Sequence, residues 1–209
     1  YRDMLENGFY IGDAFIEQPK SIGVAATILT QIIQSVASAQ YGGQTSAHID
    51  SGLCPYVEKS HIKLKAQAEK WNLPDEWVEE QLEKEVYDAM QTFLYQVNSL
   101  TTTNGQTPFI TISFGLDTSK YGRMITKAYL QNHIKGVGKD KVTPVFPKVI
   151  FFLEEGINLK PEDVNYDMKQ LAIDCATKRI YPDFISVPLN KKITGAKETA
   201  VTSMSCRSF

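Results

Sequence analysis

The sequence has 209 residues, 43% hydrophobic and 22% charged, with a formal net charge of −2 and a pI near 6.0. A chain of this length and balance can bury the core of one large domain or two small ones. Its charge offers no basic field of the kind that binds nucleic acid or an anionic membrane, so DNA, RNA and membranes are not expected partners. No run is expected to approach the roughly 18 apolar residues of a membrane span. The opening YRDMLENGFYIG lacks the basic-then-apolar order of a signal peptide.

The first predicted element lies in EQPKSIGVAATILTQIIQSVASAQYGG. Ile22, Ala25, Ala26, Leu29, Ile32, Ile33 and Val36 recur at helical spacing, with Ser21 as N-cap and Gly42 as stop. The next stretch, SAHIDSGLCPYVEKSHIKLKAQAEKWNL, reads as helix with a break before Pro55. A third helix starts at Pro74 with acidic residues behind it and runs to about Leu100. Asn104-Gly105 marks a turn.

Beyond that turn the pattern changes. TPFITISFG is β-rich and alternating, YGRMITKAYLQNHIKGVG is a helix stopped by Gly136, and FPKVIFFLEEG is a nearly continuous apolar strand. NYDMKQLAIDCATKRIYP is a helix ending before Pro182, and DFISVP a short strand. Strand, helix, strand, helix, strand implies a parallel sheet. The chain thus divides near Gly105 into a front part of long helices and a back part of alternating β and α.

The three cysteines, Cys54, Cys175 and Cys206, are odd in number and far apart. They form neither a disulfide framework nor a CxxC zinc site, and read as reduced thiols of a cytoplasmic protein. His48, His61 and His133 show no metal spacing and read as surface or capping residues. No GxSxG elbow is present, and GVGKDK at 136–141 lacks the spacing of a phosphate loop, so it reads as a helix stop and charged turn. Cys175 sits on the apolar side of its helix, and Cys54 precedes a proline; both read as structural. Cys206 lies in a segment without periodicity, between Ser205 and Arg207, whose charge would lower a thiol pKa. There is no initiator methionine, and SMSCRSF carries neither a helix stop nor a polar tail. The chain is therefore expected to be an internal segment of a longer protein, cut at both ends.

Seven blocks in order, DMLENGF, PKSI, VASAQYGG, NGQTPFITISFG, VFPKVIFFLEEGINL, NYDMKQLAIDCATKRIYPD and MSCRSF, resemble the anaerobic, glycyl-radical ribonucleoside-triphosphate reductases. The resemblance covers essentially the whole chain. It implies the N-terminal half of a ten-stranded α/β barrel preceded by long dimer-forming helices. Residues 1–105 would be the dimer and effector region, and 106–209 the half-barrel ending in a finger loop.

That loop carries a cysteine that becomes a thiyl radical. The family's Met-Gly-Cys-Arg matches Met204-Ser205-Cys206-Arg207, with serine in place of a glycine that reaches positive φ at less cost. The resemblance also implies reduction of ribonucleoside triphosphates with formate as reductant. The glycyl radical and zinc would sit in the downstream part of the parent protein, and a second barrel cysteine and an ATP-binding domain upstream. A radical-SAM iron–sulfur activase and a second copy of the chain would be its partners. Deoxynucleotide effector positions fall on Glu17, Lys20, Gln31, Lys63, Gln96 and Phe109. Lys20 and Lys63 would meet phosphates, Phe109 would stack on a base, and the other three would bond base or sugar. The alternative is a non-catalytic, nucleotide-binding dimerisation paralogue. Another glycyl-radical enzyme, such as a formate-lyase relative, would lack the FPKVIFFLEEG and NGQTPF blocks.

Overall fold

The computed structural model describes residues 1–40, 42–103, 105–197 and 200–202. Asn104, Ser205 and Cys206 lie outside the described residues. The chain opens with a short helix α1 (Arg2–Asn7) and a hairpin of β1 (Phe9–Ile11) and β2 (Ala14–Ile16), none of which the sequence pattern marked.

Helix α2 (Ile22–Ala39) begins as expected, with the Ser21 hydroxyl accepting from the Val24 amide at 3.4 Å. It ends at Ala39, short of Gly42. The expected stripe is buried from Ile22 to Ile33. With 18 residues and mean hydropathy 1.5, α2 is long and apolar enough to cross a membrane by length and composition, contrary to the expectation above. Its apolar face is instead part of the main core, while Gln31 and Ser35 stay exposed.

Helix α3 (Ile49–Trp71) runs unbroken through Pro55, so the expected break is absent. An internal proline costs a helix about 3 kcal/mol. Here Ile49 and Leu53 before it, and Tyr56 and Val57 after it, are all buried, and each such side chain contributes about 1.5–3 kcal/mol. Core packing on both sides holds the two halves in one helix. Helix α4 (Asp75–Ser99) starts after Pro74 and is capped by Leu100, as read from the sequence.

Four parallel strands form the sheet: β3 (Gln44–Ser46), β4 (Ile110–Phe114), β5 (Lys148–Leu153) and β6 (Asp183–Ser186), side by side in chain order. β3 comes from the part read as mostly helical, and its three polar residues carry no strand pattern. It pairs with β4, which follows Gly105. Helices α5 (Lys120–Lys135) and α6 (Tyr166–Arg179) end at Gly136 and Ile180, close to the expected stops.

Ile110, Ile112, Phe114, Val149 and Phe151 point into the main core with helices α2 to α6. Ile150 and Phe152 point to the opposite face, where they pack with Val187 and Ala200. Helix α7 (Val187–Thr194) and residues 200–202 thus cover what is called here the inner face. Burial on both faces is why β5 reads as a continuous apolar run, and why Thr111 and Ser113 of β4 are buried although polar.

Two histidines read as surface or capping residues are buried. His61 lies 2.6 Å by Nδ1 from the Tyr121 hydroxyl. His133 on α5 is fully buried, stacked near Tyr129, and neither ring nitrogen has a hydrogen-bond partner among the described residues. Burial, with Arg179 nearby, pushes its pKa from 6.5 down to about 4. Between those values the unfolded chain binds a proton that the folded chain refuses. Stability is therefore full above about pH 6.5 and falls toward pH 4, by up to about 3 kcal/mol. His133→Leu is expected to flatten that slope in denaturation midpoints measured between pH 7 and 4.5; an unchanged slope would place the titration in other groups.

Candidate active site

Ligand sites in parallel α/β sheets lie beyond the carboxyl ends of the strands. Here the residues after β3 (Ala47, His48), after β4 (Leu116, Asp117), after β5 (Glu154) and after β6 (Val187, Lys191) line one cavity of about 660 Å³, closed on another side by Tyr1 and Arg2.

Its rim is built around Asp50, which is 1% exposed. One carboxylate oxygen accepts from the Gly115 amide at 2.8 Å and the Asp117 amide at 3.4 Å; the other accepts from Ser51 at 2.9 Å. Burial pushes the Asp50 carboxyl above its ordinary pKa, and these N–H bonds pull it back. The Gly115 carbonyl accepts from the buried amides of Asn158 (3.0 Å) and Asn165 (3.2 Å), and Asn165 also bonds the Asp117 carbonyl at 2.9 Å. Gly115 has φ +115°, where a side chain would be strained.

His48 precedes α3 in a left-handed conformation, φ +50°. Its amide donates to the Ser113 hydroxyl at 2.9 Å, its ring stacks on Phe152 at 5.2 Å, and Nε2 lies 3.3 Å from the Ala200 carbonyl. The Tyr1 hydroxyl donates to the Ala47 carbonyl at 2.9 Å. A Cβ at Gly52 would come within 2.0 Å of that hydroxyl, so a larger residue there would have to displace Tyr1.

Cys54 is half-buried, its thiol donating to the Asp50 carbonyl at 3.1 Å, and burial pushes it up to about 12. Cys175 is fully buried and is likewise pushed up to about 12, mainly by burial. Neither thiol ionises near neutral pH, as the structural reading expects. Cys206 follows Thr202 by four positions, outside the described residues.

Of the six positions expected to meet an effector, five fall toward the two ends of α2 and one lies between them. Glu17 and Lys20 are exposed before its N-terminus. Lys59, one turn ahead of the exposed Lys63, donates to the Pro19 carbonyl at 3.2 Å, so Lys63 belongs to that end. Phe109 is 47% exposed and lines a cavity of about 480 Å³ at the other end, against Ala37 to Gln40. Gln96 is half-buried near the end of α4; Asn98, two positions on, donates to the carbonyl of Phe146, whose ring packs on Phe109 at 5.2 Å. Gln31 is exposed between the two ends. An 18-residue helix is about 27 Å long, so the fold does not bring the six together within one copy.

A family model described as anaerobic ribonucleoside-triphosphate reductase matches residues 1–209. The chain belongs to the anaerobic ribonucleoside-triphosphate reductase family. It is 54% identical over 210 residues to the reductase of that name from bacteriophage T4, covering 100% of this chain and 34% of the relative. The Haemophilus influenzae reductase is 49% identical over 99% of this chain, and the Escherichia coli K12 reductase 48% identical over 100%; each is matched over 29% of its length. The chain thus spans about a third of the curated reductases it matches. The fold is also that of the anaerobic ribonucleotide reductase from Thermotoga maritima. Its complex with dATP and CTP matches 89% of this chain and 31% of its own at TM-score 0.60 and 12% identity. Its complex with dATP in the specificity site matches 89% and 32% at TM-score 0.57 and 10% identity.

Among the described residues no three His, Cys, Asp or Glu side chains stand close enough to hold a metal ion. His48, Asp50 and Ser113 are site residues that the sequence reading missed. Without a recognisable β3, nothing marked His48 as the end of a strand. Asp50→Ala would strand the Gly115 and Ser51 amides, an expected loss of about 2 kcal/mol or more in urea unfolding. An unshifted midpoint would show that the rim does not depend on this carboxylate.

Proposed function

We propose that this chain is the segment of an anaerobic ribonucleoside-triphosphate reductase that carries the thiyl-forming cysteine, Cys206, and the deoxynucleotide specificity site. The observation that supports it most directly is the course of Ala200–Thr202. This stretch runs along the inner face of the sheet beside the cavity at the strand ends, and Cys206 follows it in sequence.

A thiol suits the task because its S–H bond yields hydrogen to a carbon radical, while the thiyl exchanges hydrogen with the ribose 3′ carbon at little net energy. The 2′-hydroxyl then leaves as water and the 3′ hydrogen returns. Formate, oxidised to carbon dioxide, supplies the two electrons, and a proton from solvent balances the water. The glycyl radical that opens the cycle, the zinc-binding cysteines and the ATP-binding domain belong, in this reading, to the rest of the parent protein. So does the surface that meets the radical-SAM activase. Four parallel strands in unbroken chain order are how one side of an α/β barrel advances, which supports the half-barrel reading. Phe184, on the outer side of edge strand β6, and Ile193 of α7 remain 37% and 67% exposed.

The split effector positions fit a two-fold dimer. If α2 packs antiparallel on its copy, the Lys20 and Lys63 end of one chain meets the Phe109 end of the other, as an isologous interface requires. Phosphates would lie on the lysines and the base on Phe109. In the full-length protein activated without oxygen, Cys206→Ser is expected to abolish ribonucleotide reduction while the glycyl radical signal persists. Retained turnover would overturn the assignment, and a parent protein lacking a glycyl loop would favour the non-catalytic paralogue. Lys20→Ala is expected to weaken deoxynucleoside triphosphate binding by about tenfold in calorimetry, one charge-assisted bond being worth about 1.5 kcal/mol or more. Unchanged affinity would remove Lys20 from the site.

A further inference from the structure

Three side chains from three elements grip Ala200–Thr202. Asn190 of α7 is 3% exposed; its Oδ1 accepts from the Val201 amide at 2.8 Å and its Nδ2 donates to the Val201 carbonyl at 3.0 Å. It thus engages both backbone groups of one residue, as a neighbouring strand would. Ser113 of β4 is fully buried; its hydroxyl lies 2.8 Å from the Thr202 hydroxyl while accepting from the His48 amide. His48 Nε2 faces the Ala200 carbonyl at 3.3 Å and is therefore the donor, with the ring held on Phe152.

These groups are costly to bury unless they are paired, and their partners lie in a segment that is itself neither helix nor strand. Asn190 adds nothing to the sheet ladder. His48 holds a left-handed backbone that a non-glycine residue adopts only when its surroundings enforce it. The arrangement places this segment on the inner face more tightly than packing of Ala200 alone would.

We propose that His48, Ser113 and Asn190 are positioning residues for the reductase reaction. They fix where the chain leading to Cys206 leaves the sheet, and so where its thiol meets the substrate. This rests on the reading of Cys206 as the thiyl cysteine. Hydrogen transfer demands near-contact geometry, and a displacement of about 1 Å costs roughly 100-fold in rate. The three residues act on rate through that placement.

The test uses the full-length reductase, activated anaerobically, with Asn190→Ala, His48→Ala and His48→Gln beside Cys206→Ser. The glycyl radical yield, read by electron paramagnetic resonance, is expected to match the unaltered protein, with KM for the ribonucleotide within about twofold. The kcat is expected to fall roughly 10- to 100-fold in both alanine variants. His48→Gln, which keeps a donor near the Ala200 carbonyl, should recover most of it. Where Asn190→Ala does not fold, Ser113→Ala takes its place. If Cys206→Ser still reduces ribonucleotides, the reading of Cys206 falls and this proposal with it. If Cys206→Ser is inactive while the alanine variants keep their kcat, the positioning role alone is overturned. Loss of the radical together with turnover, or a kcat loss that His48→Gln does not rescue, likewise overturns it.

Discussion

The site depends on one buried carboxylate. Asp50 stands at the start of α3 and binds the amides of Gly115 and Asp117 at the end of β4. It therefore ties a helix that follows the first strand of the sheet to the loop that follows the second. Two more buried side chains, Asn158 and Asn165, hold that loop from the β5 side. In the loop between β4 and α5, the N–H and C=O groups of Gly115 and Asp117 and the N–H of Ser119 are thus all satisfied by side chains. A rim held in this way does not depend on a bound ligand for its shape.

The two faces of the sheet divide the labour. Helices α2 to α6 supply the large apolar core on the outer face. The inner face carries a smaller cluster of Ile150, Phe152, Val187 and Ala200, interleaved with polar side chains that hold other backbone segments. In the proposed reading, stability and chemistry are served by opposite sides of the same strands. The nucleotide-effector surface, in the proposed reading, is a third region, on the exposed side of α2 and away from both.

Much of the architecture was legible in the sequence, for local reasons. Helical spacing from Ile22 to Ile33, a capping serine at 21, the apolar run of β5 and the stop at Gly136 are properties of neighbouring residues. Pro55 misled because its local cost is real, yet the packing of two buried residues on each side outweighs it. β3 was invisible because Gln44-Thr45-Ser46 is strand only by virtue of pairing with β4, more than sixty residues away. His133 was misread because nothing nearby in sequence shows that Tyr129 and Tyr181 enclose it.

The sequence by itself determined the family and the helical and strand segments of the long periodic stretches, and it is the sole source of the proposal for Cys206. These follow from residue order and short-range spacing. Only the tertiary structure decided that His48, Ser113 and Asn190 converge on Ala200–Thr202 at one face of the sheet, and that Lys20 and Phe109 stand at opposite ends of α2. Those facts arise from contacts between residues 11 to 152 positions apart, made through side chains whose local sequence carries no periodic or compositional signal.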